Sequence, residues 1–206
     1  TTSFVGYDQT TINTKICKYR KVSAKGKTQY QLVLEQTPFY AESGGQVGDT
    51  GILTIGHQQC NVTDTKKEND LIIHFVDALP DDLQKPVMAS INQSGRRKIQ
   101  RHHTATHLLQ AALQQVLGKH IAQKGSLNNA DYLRFDFSHF AKVSDEELAS
   151  VERIVNQKIR QNIPIIIKTL PKDEAMQLGA MALFGEKYGD VVRVVIIDPA
   201  YSIELC

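Results

Sequence analysis

His103 and His107 stand four residues apart in the run His103-Thr104-Ala105-Thr106-His107. On a helix, side chains at that spacing share one face, with Cβ atoms roughly 5–6 Å apart. Two imidazoles so placed can hold one metal ion from adjacent turns. No Glu follows the first His, so the run is not the H-E-x-x-H of a metalloprotease. The plain alternative is a pair of surface or helix-end histidines. Cys206 offers a third donor, because thiolate joins imidazole readily at zinc. A lone Cys is otherwise a small, inert, buried residue. A tetrahedral zinc would still need a fourth ligand, from a residue beyond Cys206 or from water.

A second signal is the run Phe39-Tyr40-Ala41-Glu42-Ser43-Gly44-Gly45-Gln46-Val47-Gly48-Asp49-Thr50-Gly51. Glycine allows positive φ and lets a ligand come close to the backbone. Pattern alone favours a plain hairpin connection. The G-x-x-x-x-G-K-[ST] arrangement of a phosphate loop is missing. Arg96, Arg97, Lys98 and Arg101 crowd a helix start, where the helix dipole prefers anions. Taken alone they are a solvated basic face; beside a nucleic acid they would meet phosphate. No Ser-His-Asp order suggests a nucleophilic triad.

These residues need elements to position them. The first ninety or so residues read as β. Lys27–Glu35, Thr50–Ile55 and Asp70–Val76 are short β-rich runs punctuated by Gly, Asp, Asn and Pro. Such strands suggest a small barrel or a curled sheet. Pro80–Pro86 is a polar connector. From Arg96 to Leu117 apolar residues recur at helical spacing, and Gly118 is a natural stop. Ser144 and Glu147 make a capping box. Leu148, Val151, Ile154, Val155 and Ile159 then form one stripe, which Pro164 closes. Strands are expected at Asp131–Phe137, Ile165–Leu170 and Val191–Ile197, with a short helix at Lys172–Leu178. The expected fold class is α+β: a small β-barrel-like subdomain over 1–93, then an α+β domain over 94–206 with an antiparallel sheet packed against helices.

The chain has 206 residues, 41% hydrophobic and 22% charged, an ordinary balance for a globular protein. No apolar run is long enough to span a bilayer, and no secretory signal opens the chain. Three cysteines give no disulfide framework and fit a reducing, cytoplasmic setting. A net charge of +2 excludes a polycation, so nucleic-acid binding would have to be local. The first residue is Thr and the last is Cys, ends that fit a segment of a longer protein.

Phe39 to Gln46 resembles the glycine-rich motif of alanyl-tRNA synthetase editing domains. His103 to His107 is similar to that family's H-x-x-x-H. Gln123-Lys124-Gly125-Ser126 and Leu133-Arg134-Phe135-Asp136-Phe137-Ser138-His139 resemble its next segments. Gly179-Ala180-Met181-Ala182-Leu183-Phe184-Gly185-Glu186-Lys187-Tyr188-Gly189-Asp190 matches another. Ser202-Ile203-Glu204-Leu205-Cys206 is similar to the start of the run that carries C-x-x-x-H. One such motif is moderately specific; the whole set in order is very specific. Related modules occur in threonyl-tRNA synthetase and in free-standing editing proteins. Phe4-Val5-Gly6-Tyr7-Asp8 looks closest to the bacterial type.

The resemblance implies hydrolysis of seryl- and glycyl-tRNA(Ala), with the rest of the synthetase chain attaching alanine to tRNA with ATP. It implies a zinc held by His103, His107 and Cys206, with the final His four residues past Cys206. It places Thr106 and Gln123 near the reacting ester. It places Ser43, Gly44, Gly45 and Gln46 at the amino-acid pocket. By themselves Thr106 reads as a small helix-packing residue, Gln123 as a loop hydrogen-bonder and Glu204 as a solvated strand residue. A methyl-sized contact discriminates by only about 1–3 kcal/mol, so an alanine pocket excludes glycine and serine poorly and a second, hydrolytic site is needed. A free-standing trans-editing deacylase and a catalytically inactive tRNA-binding module are the alternatives.

Overall fold

The structure is a computed structural model that describes residues 2–24, 26–182 and 188–206. Leu183–Lys187 of the run Gly179–Asp190 therefore lie outside the described residues. Among the described residues the architecture is α+β, with mainly antiparallel sheets and three helices. It divides into two compact units, Thr1–Gln100 with Asn129–Asp131, and Arg101–Asn128 with Tyr132–Cys206.

The first unit is built on strands. They are β1 (Ser3–Phe4), β2 (Thr11–Thr14), β3 (Ile16–Ala24), β4 (Lys27–Leu34), β5 (Gln36–Thr37), β6 (Gly51–Ile55), β7 (Gln58–Glu68), β8 (Leu71–Val76) and β9 (Val87–Ile91). Seven of them form one curled antiparallel sheet in the order β2-β9-β6-β7-β8-β4-β3. Among the described residues no ladder joins β2 to β3. The parallel pair β1-β5 stands apart. Alternation explains the core: Leu53 and Ile55 of β6, Cys60 and Val62 of β7 and Val87, Ala89 and Ile91 of β9 all point inward around Phe39. Residues 77–86 are irregular, as the polar connector predicts.

Helix α1 (Gln93–Leu117) follows. Asn92 Oδ1 accepts from the Gly95 N–H at 3.0 Å, which supplies the N-cap. Gly118, at φ +115°, ends the helix as expected. The second unit adds β10 (Gln123–Asn128), β11 (Leu133–Phe137), α2 (Asp145–Arg160), β12 (Ile166–Pro171), α3 (Lys172–Gln177), β13 (Val191–Ile197) and β14 (Ser202–Leu205). β10 and β11 form an antiparallel ribbon. Phe135 and Phe137 of that ribbon pack with Ala112 and Leu113 of α1 and Val151 of α2. The capping box of Ser144 and Glu147 is formed as the sequence predicts. The stripe on α2 is narrower than expected: Val151 is buried, but Leu148 and Ile159 are half exposed. Ile154 and Val155 of the stripe pack against the core cluster with Val151.

The sheet β12-β13-β14 is antiparallel. Val192, Val194 and Ile196 of β13 pack with Ala175 of α3 and Leu205 of β14. Val195 and Ile197 face the other way, onto Leu108 of α1. Burial on both faces explains the apolar run from Val194 to Ile197 in β13. It also fixes the register by which β14 delivers Glu204 and Cys206 to α1. Among the described residues no helix is long and apolar enough to cross a membrane.

Candidate metal centre

His103 and His107 occupy successive turns of α1, and their rings stack with centroids 5.1 Å apart. Cys206 follows β14 directly. Its backbone N–H donates to the Arg193 carbonyl at 2.9 Å, which holds the chain end against β13. Cys206 Sγ lies 3.3 Å from His103 Nε2. The three donor atoms all lie within 4.8 Å of one another. Ligands about 2.0–2.3 Å from one tetrahedral zinc stand roughly 3.5 Å apart, so the Cys206–His103 spacing fits one shared ion. The donor set also fits zinc, which takes imidazole nitrogen and thiolate together.

Glu204 completes the arrangement. It is 3% exposed, and its carboxylate accepts from His107 Nδ1 at 2.5 Å and from Ser202 Oγ at 3.2 Å. It is therefore not the solvated strand residue that its position alone suggests. A carboxylate can only accept, so Nδ1 of His107 carries a proton and Nε2 is the nitrogen that a metal would take after displacing its proton. Burial alone would lower the His107 pKa, but hydrogen bonds to Cys206 and Glu204 raise it to about 10. Burial alone would raise the Cys206 thiol. Hydrogen bonds from His103 and His107 overcome that and bring it down to about 6. The sulfur is thus poised as thiolate at neutral pH, the form that binds metal.

Thr106 lies on the same helix, one residue before His107. It is buried, and its Oγ1 approaches two acceptors, the His102 carbonyl at 3.0 Å and Asn128 Oδ1 at 2.6 Å. A hydroxyl has one proton, and both neighbours compete for it. Toward any other group Thr106 can therefore only accept. Asn128 is wholly buried, and its Nδ2 has no hydrogen-bond partner among the described residues. Sequence reading gives no sign of Asn128, because its partner is 22 residues away. Gln123 opens β10, and its Nε2 donates to Ser126 Oγ at 3.1 Å. Thr106, Gln123 and the three metal-ligand candidates belong to the second unit.

Ser43, Gly44, Gly45 and Gln46 belong to the first unit. Ser43 and Gln46 exchange both backbone hydrogen bonds, at 3.1 and 2.9 Å. Gly44 and Gly45 stand between them at φ +57° and +78°, so the segment closes in a two-residue hairpin turn that only glycine enters without strain. Gly48 serves close packing instead, since a Cβ there would stand 2.1 Å from the Thr65 carbonyl oxygen. Asp49, just beyond, is the segment's anchor. Its carboxylate receives Arg96 Nε at 2.9 and 3.0 Å, and the pair is buried. Arg96 Nη1 and Nη2 donate to the carbonyls of Gly6 and Pro38. Arg96 is thus removed from the expected basic face, while Arg97, Lys98 and Arg101 are exposed. An Arg with four local acceptors has no reason to seek phosphate.

Residues 1–94 match the family model of class II tRNA synthetases (A). The chain is 57% identical over 204 residues to the alanine–tRNA ligase of Cytophaga hutchinsonii, covering 98% of this chain and 23% of that protein. It is 56% identical over 207 residues to the alanine–tRNA ligase of Bacteroides fragilis, covering 100% of the chain and 24% of that protein. The corresponding protein of Bacteroides thetaiotaomicron is 55% identical over the same span. The chain thus spans about a quarter of the length of the curated relatives it matches. More than half of its residues are shared with alanine–tRNA ligases along its full extent, and the chain belongs to the alanine–tRNA ligase family.

Proposed function

We propose that this chain is the editing part of an alanine–tRNA ligase and hydrolyses seryl- and glycyl-tRNA(Ala) at a zinc-dependent site. The observation that carries the reading is the convergence of His103, His107 and Cys206, with Glu204 fixing the His107 tautomer. The whole protein would attach alanine to tRNA(Ala) with ATP, in the cytoplasm. We read the curled first sheet as barrel-like, because its outermost strands β2 and β3 are one stretch of chain interrupted only at Lys15.

Zinc, when bound, would supply Lewis-acid chemistry at the ester or at a water. His103, His107 and Cys206 would hold it, with the fourth position taken by another ligand. Thr106 offers a lone pair and no proton, so it would accept from a serine hydroxyl and find no donor on the alanine side chain. Gln123 would orient a water through its amide. Ser43, Gly44, Gly45 and Gln46 would contact the amino acid, a role supported by the resemblance of their segment to the family's glycine-rich motif. The acceptor-only hydroxyl accounts for serine and not for glycine, which has no hydroxyl to donate.

Substitution of Thr106 by Val keeps the shape and removes the acceptor. Thr106→Val lowers hydrolysis of seryl-tRNA(Ala) by roughly tenfold, the worth of one hydrogen bond, and leaves glycyl-tRNA(Ala) unchanged. His103→Ala abolishes both reactions. Equal loss of the two esters in Thr106→Val would remove Thr106 from discrimination. Full activity in His103→Ala would remove the metal centre from the reaction.

A further inference from the structure

Three rings meet at the end of the β10–β11 ribbon where Gln123 pairs with Phe137. His120 precedes β10, and His139 and Phe140 follow β11. The rings of His120 and His139 stack at 5.1 Å and 17°. Phe140 leans on both, at 5.0 Å from His120 and 4.6 Å from His139. His120 Nε2 and His139 Nδ1 are hydrogen-bonded at 2.9 Å, which ties the two imidazoles together. Phe140 is nevertheless 86% exposed, and His120 is exposed as well.

A single exposed Phe is ordinary on a protein surface. A Phe ring braced by two mutually bonded imidazoles is a fixed aromatic surface left open to water. Lys119 adjoins His120 and Lys142 lies two residues beyond Phe140; both are exposed. Rings that stack, polar ring edges and nearby cations together suit an unpaired nucleobase and its phosphate. A base within a duplex has its faces covered by its neighbours and cannot use such a surface.

We propose that His120, His139 and Phe140 form a stacking platform for an unpaired base in the 3′ tail of the tRNA. The proposal rests on the editing reading and adds a second RNA contact to it. β10 leads from Gln123, beside the platform, to Asn128, which touches Thr106. Five residue steps of strand cover about 17 Å. Stacked nucleotides advance only about 3.4 Å each along a strand, so the tail spans this distance extended, with a base upstream of the one that bears the ester on the platform.

The test uses the full-length protein and a tRNA acceptor-stem hairpin carrying 2-aminopurine at each unpaired 3′ position in turn. Stacking quenches the emission of this base. At saturation, wild type and Phe140→Trp quench one internal position, while Phe140→Ala leaves it bright and binds roughly tenfold or more weakly. The terminal position behaves alike in all three proteins. Phe140 is so exposed that its replacement leaves the melting temperature in place. Equal emission at every position and equal affinity in wild type and Phe140→Ala overturn the platform. Hydrolysis of seryl-tRNA(Ala) is followed alongside. If wild type hydrolyses the ester but Phe140 affects no emission, the platform alone fails. If Phe140-dependent quenching occurs without any hydrolysis, the editing reading fails and the RNA contact stands.

Discussion

Glu204 decides what His107 can do. An imidazole whose Nδ1 proton is held by a buried carboxylate keeps its ring oriented with Nε2 toward the metal position, and Nε2 becomes a ligand once its own proton is released. Such outer partners typically contribute 10–100-fold in metal affinity. Glu204→Ala therefore weakens zinc binding by that range, measured by competition with a chromophoric chelator; an unchanged affinity would make Glu204 a purely structural residue. The histidine spacing and the C-terminal cysteine were legible in the sequence because they are local patterns. Glu204 was not, because its partner lies 97 residues away and only the register of β14 on β13 brings them together. Asn128 was hidden for the same reason.

At the scale of elements, two buried polar contacts hold the first unit. The Asp49–Arg96 pair joins the glycine-rich segment to the start of α1 and to the carbonyls of Gly6 and Pro38. Removing one partner leaves a buried charge uncompensated, at about 3–5 kcal/mol. Asp49→Ala should lower stability by that amount in urea denaturation, far more than loss of an exposed pair such as Lys15–Glu35. His74 on β8 is the second contact. Its Nδ1 donates to the Leu32 carbonyl at 3.1 Å, and its Nε2 receives the Thr37 hydroxyl at 2.7 Å. Burial lowers its pKa from 6.5 to about 4. The folded chain keeps His74 neutral where the unfolded chain takes up a proton. Its stabilising contribution is full above pH 6.5 and is lost as pH falls toward 4, on the order of 3 kcal/mol. Denaturation at pH 7 and pH 4.5 should show that fall, and His74→Gln should flatten it. The strands at Lys27–Leu34, Gly51–Ile55 and Leu71–Val76 were readable from alternation. β7 was not, because Gln58–Glu68 is mostly polar and hides Cys60, Val62 and Thr65 on its inward face. Arg96 was misplaced with its basic neighbours because helix position alone does not reveal a buried partner.

Across the whole molecule, the chemistry is divided. The metal-ligand candidates, Thr106 and Gln123 sit in one compact unit, and the glycine-rich turn sits in the other. Each unit has its own apolar core. A ligand that binds only the folded form stabilises the part that holds it. Zinc removal should therefore raise amide exchange in β13, β14 and the middle of α1, and leave β6, β7 and β8 unchanged. Uniform loss of protection across both units would show that they unfold as one. The fold class was legible in the sequence, since strands crowd its first half and helices alternate with strands in the second. The division inside α1, after Gln100, was not, because a helix with continuous apolar spacing gives no sign of a boundary within it.

The most direct measurement is hydrolysis of seryl-tRNA(Ala) and alanyl-tRNA(Ala) by the full-length protein before and after chelation, with zinc then restored. The account predicts that the seryl ester is cleared and the alanyl ester kept, that chelation stops the clearance, and that zinc restores it in wild type but not in His103→Ala. Clearance that survives complete zinc removal, or equal loss of both esters, would contradict it.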